Sequence, residues 1–377
     1  MKHIIKTLLI MFIIFGVISG FWQINNANYK KHLEIKQVKV DHPELLPDAT
    51  SAKFISSGYS NVLADKYWLE AIQYIGGNAM ASEYKKYLYE MTELITDLNP
   101  YFEKPYLITQ LLLPNVNVRY ENLSQEEIDK NLENSIKIGE KGVKNFCDAT
   151  KIDTINNDKE FDLDKLTSEE KYKNPCISPM VPYYLGYIYH FYKKDGANAA
   201  KYYKITAANV DAPDGAKVLA AIMQGKGGDR EKSILMFLNM AINMSVSEED
   251  NQCKNFAIDI DNTIKQTAIT GELLEIIEEN RKKLTGEEDV NKLILGNSCL
   301  NFVNKATREL NLFYLENANK DYYNKTGKNA DTPQILFNNG IINYIPIDFQ
   351  QEKHNGIEYF YNPEIGKYDY KMAYKND

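Results

Sequence analysis

The sequence predicts a mainly α protein: an α-solenoid of antiparallel helix pairs, preceded by an N-terminal membrane helix and closed by a small C-terminal β-appendage. Three observations carry that expectation. The first is an echo at a spacing of 34 residues, which pairs Leu185 with Leu219, Gly186 with Ala220, Ala199 with Ser233, Tyr203 with Phe237 and, more loosely, Thr206 with Met240. A helix–turn–helix unit of that length cannot bury its apolar face alone and does so by stacking on its neighbours. The second is the recurrence of apolar residues at helical spacing through most of 47–319. The third is a change of texture after about Asn319, where Gly, Pro, Asn and aromatic residues punctuate short alternating runs.

Residues 1–24 read as a signal anchor. Lys2 and Lys6 precede an apolar run from Thr7 to Trp22, near the lower limit for spanning a bilayer and also the length of a signal-peptide core. Small residues are badly placed for cleavage at Ile18/Gly20 and only marginally placed at Asn25/Ala27, and no Cys lies nearby to take a lipid. An uncleaved anchor is therefore expected, with a cleaved signal or a buried soluble helix as alternatives. Lysines flank the run on both sides, Lys2 and Lys6 against Lys30, Lys31, Lys36 and Lys39. A short basic tail leading an apolar run still resembles an export signal, which places the bulk of the chain outside the cytoplasm as a single-pass membrane protein, periplasmic or at the cell surface. Residues 25–46 form a polar linker.

The helical array is expected over 47–319. Phe54, Val62, Leu63, Leu69 and Ile72 mark a first helix across Ala52–Tyr74, stopped by Gly76-Gly77. A second runs over Ser82–Leu98 and ends at Asn99-Pro100; a third covers Lys104–Leu113 before Pro114. Ser124 and Glu127 form a capping-box pair for a fourth that reaches Phe146. Residues 147–178 are polar and read as an insertion on one face of the array. Helices resume over Pro179–Lys193, Ala197–Asn209, Pro213–Gln224, Asp229–Met244, Ser247–Thr267, Gly271–Leu284 and Glu288–Asn319, with turns at Asp195-Gly196 and Gly225–Gly228. Residues 320–377 form the β-rich region, with strands at Ile341–Ile345, Ile357–Tyr361 and Lys367–Tyr370.

Within Pro182–Met244, Leu185-Gly186-x-x-Tyr189 with Ala199-x-x-x-Tyr203, and Leu219-Ala220-x-x-Met223 with Ser233-x-x-x-Phe237, resemble two tetratricopeptide repeats. Small residues sit where helices cross closely and bulky ones fill the seam. Asn61-x-Leu63-Ala64-Asp65-x-x-Trp68-Leu69-x-Ala71-Ile72-Gln73-Tyr74-x-Gly76, followed by Leu94–Pro100 and Phe102, is similar to the start of a class of bacterial membrane-anchored tetratricopeptide proteins. The tail, from Leu336-Phe337 through Ile345-Pro346-x-Asp348-Phe349 to Tyr359-x-Tyr361-x-Pro363-x-x-Gly366, resembles more loosely the C-terminal β-region of pseudopilins. The repeat resemblance implies a stacked-helix fold that binds partners; the tail resemblance implies a small β-appendage and not pilus function.

If the repeat register holds, the concave face presents Tyr183, Tyr187 and His190 from one unit and Lys217, Ala221 and Gln224 from the next. Tyr offers contact area at small entropic cost and Lys217 a cation for a carboxylate; the alternative is that these tyrosines pack on the adjacent helix. Four cysteines in an exported chain suggest disulfides. Cys147 with Cys176 and Cys253 with Cys299 is the expected pairing among three connectivities, and free buried thiols are the alternative.

The residues argue against several chemistries. A net charge of −8 supplies no phosphate-neutralising field, so no nucleic-acid partner is expected. There is no CxxC and no ligand-spaced His, so no metal or cofactor is expected. Gly225-Lys226-Gly227-Gly228 lacks the spacing of a phosphate loop, Asp259-x-Asp261-x-Thr263 lacks the Gly and Glu of a calcium loop, and the run Asp158-x-Glu160-x-Asp162-x-Asp164 reads as a solvated loop rather than a weak Ca²⁺ site. No GxSxG occurs. The expected function is a membrane-tethered scaffold, not an enzyme, that binds a protein or peptide outside the cytoplasm. The competing readings are a glycan-active hydrolase built on paired helices and a component of a secretion or pilus apparatus; carboxylates 5 to 10 Å apart in one cleft favour the hydrolase.

Overall fold

The structure, a computed structural model, describes residues 11, 14–27, 46–78, 84–116, 121, 123–158, 162–213, 215–244, 251–285, 298–349 and 356–372. It is mainly helical, with a single two-stranded sheet among the described residues. The chain divides into two compact units, Met1–Ile138 and Gly139–Asp377.

The N-terminal apolar run and the linker lie partly outside the described residues. Residues 14–27 are helical. Among the described residues no helix is long and apolar enough to cross a membrane.

In the first unit, α1 (Ala49–Ile55) is started by Asp48, whose carboxylate accepts from the backbone N–H of Thr50 and Ser51 at 2.9 and 3.0 Å. The one helix expected over Ala52–Tyr74 is two. Ser57 and Gly58 adopt φ of +49° and +93° and break it, and α2 (Ser60–Asn78) begins just beyond. The helices α3 (Lys85–Leu98) and α4 (Glu103–Leu112) follow. Ala52, Ala64, Ala71, Leu88, Ile95 and Leu113 make the floor of one core. Thr92 and Thr109 share a buried hydroxyl hydrogen bond of 2.6 Å between α3 and α4, and Trp68 meets the edge of Phe102 at 6.0 Å. The helix α5 (Gln125–Phe146), whose last residues belong to the second unit, opens on a reciprocal capping box. Ser124 N–H donates to Glu127 at 2.8 Å and Glu127 N–H donates to the Ser124 hydroxyl at 3.3 Å.

In the second unit, the segment read as a polar insertion carries α6 (Ala149–Asn157) and α7 (Lys165–Ser168) and sends Ile155, Leu163, Leu166 and Tyr172 into the main core. The helices α8 (Met180–Phe191), α9 (Gly196–Ala207), α10 (Ala216–Lys226) and α11 (Arg230–Asn243) then pack each on the next. Their turns repeat at the spacing of the sequence echo. Asp195 caps α9 by accepting from Asn198 N–H at 3.0 Å, and Asp229 caps α11 by accepting from Lys232 N–H at 3.2 Å. The residue before each cap is left-handed, Lys194 at φ +54° and Gly228 at φ +102°. The two turns also touch: a Cβ on Gly196 would stand 2.5 Å from the backbone N of Gly227, and one on Gly227 would stand 2.8 Å from that of Ala197. Leu185, Ala199, Tyr203, Ala220, Ser233 and Phe237 are buried, Gly186 lies against the Tyr203 ring, and Tyr189 and Leu219 are half-buried.

The helices α12 (Asn251–Gln266) and α13 (Gly271–Thr285) are followed by α14 (Ser298–Thr326). The last runs past the expected end at Asn319 and packs on α11 as well as on α12 and α13, so it closes back over earlier helices. Beyond it come α15 (Pro333–Asn338) and an antiparallel hairpin of β1 (Ile357–Asn362) and β2 (Lys367–Met372), in register from Ile357 opposite Met372 to Asn362 opposite Lys367. The strand expected at Ile341–Ile345 is absent. That stretch buries Ile342 and is followed by backbone held by a side chain rather than a strand, with Asn311 donating to the Ile347 carbonyl at 3.1 Å. The sulfurs of Cys147 and Cys176 are bonded, as are those of Cys253 and Cys299.

Candidate functional site

The residues expected on a concave face divide between α8 and α10. Tyr183, Tyr187 and His190 sit along α8 and are half-buried. Tyr183 packs on Tyr203 with ring centroids 5.6 Å apart, Tyr187 on Phe191 at 4.4 Å, and His190 stacks on Phe191 at 4.1 Å. The α10 residues are committed elsewhere. Lys217 pairs with Asp164 at 2.7 Å, Gln224 donates to Asp229 at 3.2 Å, and Ala221 is fully buried. The partner of Lys217 comes from the 147–178 segment, whose return onto α10 no local pattern announces.

His190 has a buried Nδ1 with no hydrogen-bond partner. Burial, reinforced by Lys226 and Lys194, lowers its pKa to about 4. Its folded pKa is below the unfolded value, so its neutral form is favoured by the fold. The associated stability is complete above about pH 6.5 and is lost as pH falls through about 4. The melting temperature of the native chain is expected to fall more between pH 7 and 4 than that of His190→Gln; equal falls in the two would exclude the role.

A better-formed surface lies between α12 and α13, which are joined by the short 267–270 connection. They enclose a groove of about 520 Å³ with an apolar floor of Phe256, Ile260, Leu273, Ile276 and Ile277, edged by Asn255, Asp259, Asn280 and Lys283. Ile276 is 51 % exposed within it. The start of α13 is fixed by close packing, since a Cβ on Gly271 would meet Asn343 Oδ1 at 2.3 Å and Tyr314 Oη at 2.9 Å. The start of α12 is fixed by the Cys253–Cys299 bond to α14. On the α13 side, the buried Arg281 pairs with Glu278 at 2.5 Å.

Two clusters of buried charge gather on α14. Arg230 pairs through Nη1 with Glu309 at 2.7 Å and through Nε with Glu316 at 3.1 Å, and Nη2 donates to the Tyr368 carbonyl at 2.9 Å. Burial of the Glu309 carboxyl outweighs the attraction of Arg230 and raises its pKa. A second knot joins Arg308 to Asp348 at 2.7 and 2.9 Å, with the Tyr359 hydroxyl donating to Asp348 at 2.8 Å and Asn311 donating to Tyr359 at 3.1 Å. A polar cleft of about 500 Å³ adjoins the first cluster, lined by Glu316, Asn319, Tyr323, Tyr361 and Lys367. Glu309 and Glu316 share one guanidinium, so this pair does not offer the free acid and free base that glycoside hydrolysis needs.

Of the acidic run, Glu160 lies outside the described residues and the other three carboxylates are engaged. Asp158 accepts from the Tyr172 hydroxyl, Asp162 accepts from Asn243 at 3.1 Å, and Asp164 holds Lys217. Among the described residues, no group of three or more His, Cys, Asp or Glu is arranged to hold a metal ion. Comparison with known proteins finds no family model, no curated relative and no solved structure that matches the chain.

Proposed function

We propose that this chain is a membrane-tethered scaffold of stacked helix pairs that binds a protein or peptide outside the cytoplasm. The apolar-floored groove between α12 and α13 carries this reading. Its volume, hydrophobic floor and polar edges suit an extended or helical segment that inserts a few apolar side chains. The tetratricopeptide-like reading draws support from the recurrence, 34 residues apart, of a left-handed residue followed by an Asp cap. The two disulfides favour an oxidising compartment. On this reading the partner contacts α12 and α13.

A photo-crosslinking side chain at Ile276 in the full chain, expressed in native membranes, is expected to give one adduct that maps to a single apolar segment. The same group at Ile177, which is 76 % exposed outside the groove, should give none. Ile276→Asp should leave the melting temperature unchanged and lower recovery of the partner at least about tenfold, because it places a charge on the apolar floor. Equal adducts at both positions, or undiminished recovery with Ile276→Asp, would remove the groove from the proposal.

A further inference from the structure

The first unit exposes several large apolar side chains within a short stretch of the chain. Phe54, Ile55, Tyr59, Val62, Leu69 and Ile72 are 86, 66, 73, 63, 61 and 46 % exposed. Val62, Leu69 and Ile72 recur at intervals of seven and three and share one face of α2. Ala64, Ala71 and Tyr74, on another face, belong to the core. The helix is thus apolar on two sides, and among the described residues only one side has a protein neighbour. Isolated exposed apolar residues are ordinary, but six within so short a stretch mark a contact surface.

Two features of the same unit point to lipid as what covers it. Residues 14–27 form a helix whose Phe15, Ile18, Phe21, Trp22 and Ile24 are between 61 and 73 % exposed, a pattern suited to an apolar medium. The 21 residues between that helix and α1 reach about 75 Å at full extension, so α2 cannot leave the neighbourhood of whatever surface the helix enters. Such a tether raises the effective concentration of α2 at that surface, and a contact too weak to anchor a free domain then suffices.

We infer that the outer face of α2, with Phe54, Ile55 and Tyr59 at its leading end, rests on the lipid surface that the N-terminal helix enters; this depends on the membrane-tether reading above. Asp65 lies on the same face between Val62 and Leu69, and Lys53 and Lys66 are exposed nearby. These charges stay at the headgroups and limit insertion to the depth of the apolar side chains.

The test uses the full chain in phosphatidylcholine–phosphatidylglycerol vesicles, with and without brominated acyl chains that quench tryptophan on contact. The parent holds two tryptophans, Trp22 and Trp68. Leu69→Trp adds a reporter on the α2 face, and Tyr101→Trp adds a control at a position 65 % exposed in the same unit. The emission added by Leu69→Trp is expected to be quenched at least twofold by brominated lipid and to be blue-shifted, with the Tyr101→Trp emission unaffected. Quenching in the parent without quenching of the added Leu69→Trp emission overturns the inference and leaves the tether standing. No quenching in either removes the tether as well. Leu69→Trp emission protected from both brominated lipid and aqueous iodide assigns the face to a protein, such as a second copy, and also overturns the inference.

Discussion

Replacing Arg230 by Met is expected to lower the unfolding free energy by about 3–5 kcal/mol, because it leaves the buried Glu309 carboxyl and its half-buried neighbour Glu316 without their cation. Arg230 is 2 % exposed and Glu309 is 3 % exposed, so water cannot substitute for the lost partner. The guanidinium joins three elements: it begins α11, pairs with two carboxylates on α14 and holds the backbone of β2. Adding Glu309→Gln removes one of the stranded charges and should recover part of the loss. Urea unfolding of the single and double variants measures both effects. A loss below about 1 kcal/mol for Arg230→Met would mean that apolar packing of α11 on α14 suffices without the cluster.

The second large effect is expected at a crossing with no room for a methyl group. In Gly196→Ala the new Cβ would lie 2.5 Å from the Gly227 nitrogen and 2.7 Å from the Lys226 carbonyl carbon. Those atoms are backbone and cannot rotate aside, so the two helical turns must separate. The expected cost is about 2–3 kcal/mol, the upper part of the range for overpacking. Gly215→Ala is the matched control. Its Cβ meets nothing within 4 Å and its backbone is right-handed at φ −80°, so it should be neutral or stabilise by up to about 1 kcal/mol. Thermal melts of the two variants read the difference, and equal melting temperatures would show that the stacked turns yield freely.

The positions of these turns were more legible in the sequence than the echo of apolar residues suggested. Asp195 and Asp229 are themselves 34 apart, as are Lys194 and Gly228, and the polar pairs report the repeated turn as well as Leu185/Leu219 report the repeated seam. Local signals also placed the α5 capping box and the β1–β2 hairpin. Gly58 carried a warning of the break between α1 and α2, but the apolar spacing on either side hid it. What stayed hidden is long-range. Arg230 reaches Glu309 across 79 residues and Tyr368 across 138, and neither partner lies in a pattern that marks it. The alternating run at Ile341–Ile345 looks like a strand because alternation reports a two-sided environment; here no described strand pairs with it, and Ile342 packs among Leu312, Leu336 and the hairpin side chains Tyr359 and Tyr368. The groove was out of reach for the same reason, since its floor residues look like ordinary core positions on two helices until the gap between the helices is seen.

The Cys253–Cys299 bond encloses both groove helices in one covalent ring, because α12 and α13 lie between the two cysteines in the chain. A protease that cuts once anywhere inside that ring opens it without separating the fragments, and the severed ends stay attached through sulfur. A single cut sets α12 and α13 free of each other only when the disulfide is also reduced. In a compartment rich in proteases and poor in thiols, the groove would survive a nick that dismantles an unbridged helical hairpin.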